Sequence, residues 1–315
     1  MDIPKIVVVA GPTASGKTRL GIELARRYGG EIVSADSMQI YRRMDIGTAK
    51  ATAEEKAAVP HHMLDVADPE ENYSVARYVD EAARCCADII ARGKLPILVG
   101  GTGLYIDSLV SGRDFAENDG DTGLRDRLLA EYDRVGGEEM LSRLREFDPE
   151  RAEKLHPSDK RRIVRAIEIY TLTGMTITEH DRRTRELPPR FDAAKIVLTY
   201  QDRADLYERI DRRVDQMAEE GLFDEVKGLL ESGLSPACTA MQAIGYKEPA
   251  MALRGEISRA EAVELIKLYS RRYAKRQLTW FSRSEDALWI RWEKTPDFEK
   301  ALRLSTEFLT SRGIS

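Results

Sequence analysis

Apolar positions along this chain follow two rhythms, and their alternation through the N-terminal part predicts a layered arrangement of strands and helices. Lys5-Ile-Val-Val-Val-Ala10 is a short β-branched run, apolar on both faces as a buried parallel strand must be. Leu20, Leu24 and Tyr28 then recur at helical spacing until Gly29-Gly30 stops the helix. Glu31 to Ser34 predicts a second strand leading to Asp36. Val75, Tyr78, Val79, Ala82, Cys86, Ile89 and Ile90 trace one apolar face of a long helix that Gly93 ends. Leu95 to Val99 is a third buried run, followed by Gly100-Gly101-Thr102-Gly103. Parallel neighbours need a crossover, so this order predicts an α/β fold, a parallel sheet flanked by helices.

Between about Phe115 and Pro189 the strand rhythm stops and the sequence turns charged and helical, with breaks at Gly136-Gly137, Asp148-Pro149 and Pro188-Pro189. The expected organisation is a core of residues 1–114 and 190–315 interrupted by an all-helical insertion domain, residues 115–189. Lys195 to Tyr200 reads as a strand returning to the sheet. A helix from about Asp202 to Gly221 turns Leu206, Ile210, Val214 and Met217 inward, and Ala287 to Trp292 is the expected last strand before a C-terminal helix.

Composition narrows the function classes. The 315 residues are 42% hydrophobic, enough for one large domain or two unequal ones. The longest apolar runs fall far short of the roughly 18 residues that cross a bilayer. The N-terminus enters a strand at once, with no room for a signal peptide, so a cytoplasmic protein is expected. Cys85, Cys86 and Cys238 match neither a disulfide framework nor a zinc spacing. The formal net charge of −5 argues against indiscriminate nucleic-acid binding. Two stretches run the other way: Ser158 to Arg185 carries seven Lys/Arg against four Asp/Glu, and Ile266 to Arg283 carries six against none. Such local patches suit a polyanion held at a defined place.

The strongest chemical signal is Gly11-Pro12-Thr13-Ala14-Ser15-Gly16-Lys17-Thr18, which matches G-x-x-x-x-G-K-[ST] between a strand and a helix. Its backbone N–H groups and the helix N-terminus can cradle a di- or triphosphate, with Lys17 as the mobile charge and the Thr18 hydroxyl on Mg²⁺. The fold is therefore expected to be P-loop NTPase-like. The turn does not say whether the phosphate is transferred, hydrolysed or released.

Further segments narrow this. Ser34-Ala-Asp-Ser-Met-Gln-Ile-Tyr41, Met44-Asp-Ile-Gly-Thr-Ala-Lys50, Pro60-His-His-Met-Leu-Asp65, Val99-Gly-Gly-Thr-Gly-Leu-Tyr105, Arg161-Arg-Ile-Val-Arg-Ala-Ile-Glu168, Arg209 to Met217, Gln242-Ala-Ile-Gly-Tyr246 and Ala274-Lys-Arg-Gln-Leu-Thr-Trp280 together resemble the tRNA dimethylallyltransferases, also called isopentenyltransferases. The zinc finger of the eukaryotic relatives has no counterpart after Cys238, which points to the bacterial form. The resemblance implies transfer of a dimethylallyl group from dimethylallyl diphosphate to N6 of the adenosine 3′ of the anticodon, tRNA position 37, with release of diphosphate. It implies Asp36 as general base, Thr13 at the bridging region of the diphosphate and Arg213 as catalytic arginine. It also implies tRNA contacts at Asp36, Ser37, Met38, Gln39, Thr102, Arg125, Lys160, Arg161, Arg162, Ile163, Val164, Met241, Gln242, Gly245, Tyr246 and Lys247.

The residues alone leave alternatives open. Asp36 also suits an N-cap or a Walker-type Mg²⁺ contact, and Arg209 and Arg213 also suit a surface pair with Asp211 and Asp215. Arg165, Arg272, Lys275 and Arg276 are further phosphate-contact candidates. Tyr269, Tyr273 and Trp280 share a helical face that suits packing on the sheet or stacking on bases. His61-His62 with Asp65 makes a poor metal set. The expected partners are the tRNA anticodon stem-loop and dimethylallyl diphosphate, without membrane, and the chain is expected to act as a monomer. Rival functions are a P-loop small-molecule kinase, an adenylate isopentenyltransferase and a nucleotide-dependent RNA-binding switch.

Overall fold

The structure is a computed structural model describing residues 3–112 and 123–315. The expected domain boundary at 114/115 lies outside the described residues. The chain divides into two compact units, Met1–Val110 with Arg190–Ser315, and Ser111–Pro189.

In the first unit the order is β1 (Lys5–Ala10), α1 (Lys17–Tyr28), β2 (Glu31–Ser34), α2 (Ala53–Ala58), β3 (His61–His62), α3 (Val75–Ala91), β4 (Pro96–Gly100) and α4 (Gly103–Ser111). In the second unit α5 (Leu124–Val135), α6 (Gly137–Phe147), α7 (Pro149–Glu153), α8 (Lys160–Thr173) and α9 (Ile177–Glu186) follow. The first unit resumes with β5 (Asp192–Tyr200), α10 (Arg203–Glu219), α11 (Leu222–Glu231), α12 (Lys247–Leu253), α13 (Arg259–Phe281), β6 (Leu288–Trp292) and α14 (Phe298–Ser311).

The sheet runs β3-β2-β4-β1-β5-β6 and every pairing is parallel. Val7, Val9, Ile97, Val99, Ile196 and Leu198 join one core with Leu20 and Leu24 of α1 on one face of the sheet, and the alternate residues Ile6, Val8, Leu98 and Val197 are buried on the other, so these strands are apolar on both faces. Because all strands point the same way, Ala10, Ser34 and Gly100 end on one edge, where ligands collect in open parallel sheets.

Short elements escape the periodicity. α2 buries no residue and is held at its start by a reciprocal Thr52–Glu55 capping box. β3 has two residues, paired to Ile32 and Val33. β5 starts at Asp192, three residues before the expected Lys195, because Lys5 and Ile6 pair with Asp192 and Ala193.

The irregular stretch between β2 and α2 is ordered by side chains from far away. Glu225 on α11 accepts from the backbone N–H groups of Asp45 (2.9 Å), Ile46 (2.8 Å) and Gly47 (3.2 Å), and from the Tyr246 hydroxyl (2.6 Å). A Cβ on Gly47 would lie 2.5 Å from the Tyr246 ring, so only glycine permits this approach. Lys50, whose side chain is 2% exposed, donates to Asp45 and Asp65 at 2.6 Å each and to the Tyr41 carbonyl at 2.8 Å.

The second unit has its own core of Leu128, Met140, Leu141, Leu144, Ile163, Val164 and Ile167. Ile163 and Val164 are 0% and 2% exposed, so their side chains hold α8 to its neighbours and are not the groups that would meet RNA.

Glu225→Ala leaves three loop N–H groups and a buried phenol without their acceptor. The expected cost is about 2–3 kcal/mol, read as a lowered urea midpoint at unchanged slope.

Candidate active site

The turn after β1 is built so that its N–H groups converge. Gly11 and Gly16 take φ of +152° and +86°, and a Cβ on Gly11 would strike the Leu198 carbonyl and lie 2.9 Å from the Ser15 hydroxyl. Ala14 also adopts a left-handed φ of 61°, a strained value that the surroundings must enforce. One tether is Gln277 on α13, a buried side chain that sequence reasoning missed. Its Oε1 accepts from the Thr13 N–H (3.2 Å) and its Nε2 donates to the Gly101 carbonyl (2.9 Å). Its signal in the sequence was the one side-chain amide inside a basic helix.

Asp36 stands just past β2. Its Oδ1 accepts from the backbone N–H of Met38 (2.9 Å) and of Gln39 (3.4 Å), so one oxygen holds a turn, and no helix begins here for it to cap. Oδ2 accepts no hydrogen bond among the described residues and remains usable as a base. Thr102 braces the neighbouring residue, its Oγ1 accepting from the Ser37 N–H at 3.0 Å while its own N–H reaches the Ala35 carbonyl at 3.1 Å.

On α10, Asp211 pairs with Arg271 at 2.5 Å and Asp215 with Lys267 at 2.7 Å. Arg213 is therefore not neutralised by its acidic neighbours and makes no hydrogen bond or ion pair with any described residue. Burial pulls its guanidinium below its ordinary value, and the Asp36 charge opposes that pull. Arg209, one turn earlier, keeps a buried Nε without a partner among the described residues. The same pairs remove two charges from the basic α13 stretch, leaving Arg272, Lys275 and Arg276 exposed.

These groups line one cavity of about 1260 Å³, whose wall includes Thr13, Lys17, Thr18, Asp36, Arg213, Gln242, Tyr273 and Gln277. Ser37, Met38, Gln39, Gly245 and Tyr246 also face it. Tyr273 thus belongs to the cavity, where burial first and the Asp36 charge second push its phenol up to about 12. Trp280 instead donates to Asp107 at 2.7 Å.

Several residues expected to read RNA have other work. Met241 and Tyr246 are fully buried. The Gln39 amide donates to the Thr48 and Ala49 carbonyls at 3.2 Å each. Gln39 and Tyr246 line the cavity and Met241 packs in the core behind it, whereas Gln242 and Lys247 are exposed. In the helical unit, Arg125 forks onto Glu168 (2.9 Å) and Lys160 pairs with Asp133 (2.6 Å), while Arg161 and Arg162 are exposed without a carboxylate partner among the described residues. His62 binds Glu31 at 2.7 Å and His61 the Val59 carbonyl at 2.9 Å.

The sequence is similar to known proteins over nearly its whole length. The family model described as "IPP transferase" matches residues 39–284, and one described as "Isopentenyl transferase" matches residues 4–66. A tRNA dimethylallyltransferase of Acetivibrio thermocellus is 47% identical over 98% of both chains. That of Caldanaerobacter subterraneus subsp. tengcongensis is 46% identical over 98% of both. The crystal structure of the tRNA isopentenylpyrophosphate transferase from Bacillus halodurans superposes with a TM-score of 0.72 at 41% identity, covering 98% of this chain and 96% of that one. A eukaryotic dimethylallyltransferase captured acting on tRNA gives 0.80 at 30% identity, covering 98% and 80%.

Burial, with Arg213 adding to it, lowers the Lys17 ammonium to about 8. A folded value below the unfolded one means the charged form opposes folding below pH 8, and that penalty is relieved as pH rises from 8 toward the unfolded value. Unliganded Lys17→Met is therefore expected to melt above the parent protein at pH 7. The gap should close between pH 8 and 10, and the variant should lose diphosphate binding, both followed by calorimetry.

Proposed function

The chain belongs to the tRNA dimethylallyltransferase family, and from that premise we propose that it prenylates N6 of the adenosine 3′ of the anticodon, position 37, using dimethylallyl diphosphate. The observation that carries this reading is the one cavity whose wall holds residues of the Gly11–Thr18 turn, the Asp36 carboxylate and Arg213, which has no ion-pair partner among the described residues.

The diphosphate occupies the Gly11–Thr18 turn, where backbone N–H groups and Lys17 meet its oxygens. Thr13 lies against the bridging oxygen and Arg213 faces the diphosphate from α10, so charge that grows on the leaving group is met by groups already in place. The N6 amine is a weak nucleophile because its lone pair is delocalised into the ring. Asp36 Oδ2 accepts its hydrogen bond and takes the proton as the N6–C1 bond forms and the C1–O bond breaks. The adenine must leave the stack to reach this depth. Arg272, Lys275 and Arg276 on α13 contact the RNA backbone, as do Arg161 and Arg162 of the helical unit.

Mg²⁺ fits the donor set. Among the described residues no group of three or more His, Cys, Asp or Glu is arranged to hold a metal, and Thr18 lines the cavity. A hydroxyl oxygen beside a diphosphate cradle suits a hard ion that keeps waters and takes its remaining oxygens from the substrate. Thr18 would hold it, and the ion would supply charge neutralisation to the departing diphosphate.

Incubation with unmodified tRNA, Mg²⁺ and dimethylallyl diphosphate, followed by nucleoside mass spectrometry, is expected to show the dimethylallyl increment on adenosine. Consumption of ATP on a small acceptor with no increment would favour a kinase instead. Asp36→Asn is expected to lower kcat by about 100- to 10,000-fold while tRNA retention on a filter stays near the parent value.

A further inference from the structure

The strand and helix that close the chain, β6 and α14, lie beyond residue 284, where the family match ends. They nevertheless touch the diphosphate turn. Trp292, the last residue of β6, is 4% exposed, and its indole Nε1–H donates to the Ser15 carbonyl at 2.8 Å across 277 residues of sequence. Phe298 at the start of α14 packs 5.3 Å from the Trp292 ring. A Cβ on Gly16 would come within 2.9 Å of the Phe298 ring, and the Arg19 guanidinium covers that ring at 4.1 Å.

We infer that Trp292 is a positioning residue for donor binding, which aims the Gly16 N–H at the diphosphate by holding the Ser15 carbonyl on the opposite side of the same peptide plane. The inference rests on the donor-site reading above. In a planar trans peptide the carbonyl of one residue and the N–H of the next point in opposite directions. Fixing Ser15 O outward therefore fixes Gly16 N–H inward, and Gly16 lines the cavity whereas Trp292 does not. Gly16 has a left-handed φ of +86° and no side chain to hold it, so this peptide needs an external clamp. Phe298 supplies the second jaw by filling the space beside the Gly16 Cα. A buried carbonyl that loses its donor rotates toward another or stays unpaired, and either result spoils the N–H direction.

Trp292→Phe keeps most of the ring volume and removes the donor. Titration calorimetry with inorganic diphosphate and Mg²⁺ is expected to show affinity weakened about 5- to 10-fold, the effect of one misdirected hydrogen bond. In steady state, KM for dimethylallyl diphosphate should rise by a similar factor with KM for tRNA unchanged. If the phenylalanine variant fails to fold, site-specific replacement of Trp292 by 3-benzothienylalanine removes the same N–H at nearly constant shape. Diphosphate affinity equal to the parent in either folded variant overturns the inference. So does a parallel rise of both KM values with a large fall in Tm, which would mark a general structural role. Absence of diphosphate binding by the unaltered protein would instead contradict the donor-site reading itself.

Discussion

A loop that aims several backbone N–H groups at one point must send its carbonyl groups outward, and each carbonyl that is turned into protein needs a donor there. The Gly11–Thr18 turn lives under this constraint, and much of the first unit is arranged around it. Lys17 reaches back to the Pro12 carbonyl at 3.3 Å, Trp292 serves the Ser15 carbonyl, and Gln277 takes the Thr13 N–H and hands its own donor to Gly101. The close approach of Leu198 O leaves no room for a side chain at Gly11. Strands β1, β4 and β5 must therefore run parallel and adjacent, as they do, so that their ends hold the turn from both sides.

Charge is distributed to match. The acids on α10 are satisfied by Lys267 and Arg271 of α13, which binds the two helices and leaves Arg213 to the cavity. Asp36 spends one oxygen on the backbone that follows it and keeps one. Lys17 and Arg213 share the cavity wall with Arg209, Arg212 and Arg276 as well as with the acids Asp36, Glu55 and Glu220, so the proposed diphosphate would meet cations that are already in place.

The parts of this design that were legible in the sequence are those set by neighbouring residues. The β-branched run of β1, the glycines of its turn and the spacing of Leu20, Leu24 and Tyr28 are local signals, and they placed strand, turn and helix without tertiary information. The turn also carries the phosphate-binding pattern in consecutive residues. Asp36 and Arg213 are different: nothing near them in sequence separates a base from a turn-former or a buried arginine from a surface one, and only the family resemblance singled them out as candidates. Arg213 in particular sits between two aspartates whose partners lie more than fifty residues away on α13. The same limit hid Glu225, Gln277 and Trp292, whose roles depend on bonds between residues remote in sequence. It also explains Ile163, Val164 and Met241, which lie inside motifs rich in exposed polar groups but fill cores.

The central claim is that donor and acceptor meet in one cavity, with diphosphate on the turn and adenine at Asp36. A crystal structure of the protein with an unreactive dimethylallyl thiodiphosphate and an anticodon stem-loop tests this directly. The account predicts the diphosphate cradled by residues 11–18 and a flipped adenine whose N6 lies within about 3.2 Å of Asp36 Oδ2. An adenine held elsewhere, or a diphosphate bound away from the turn, would contradict it.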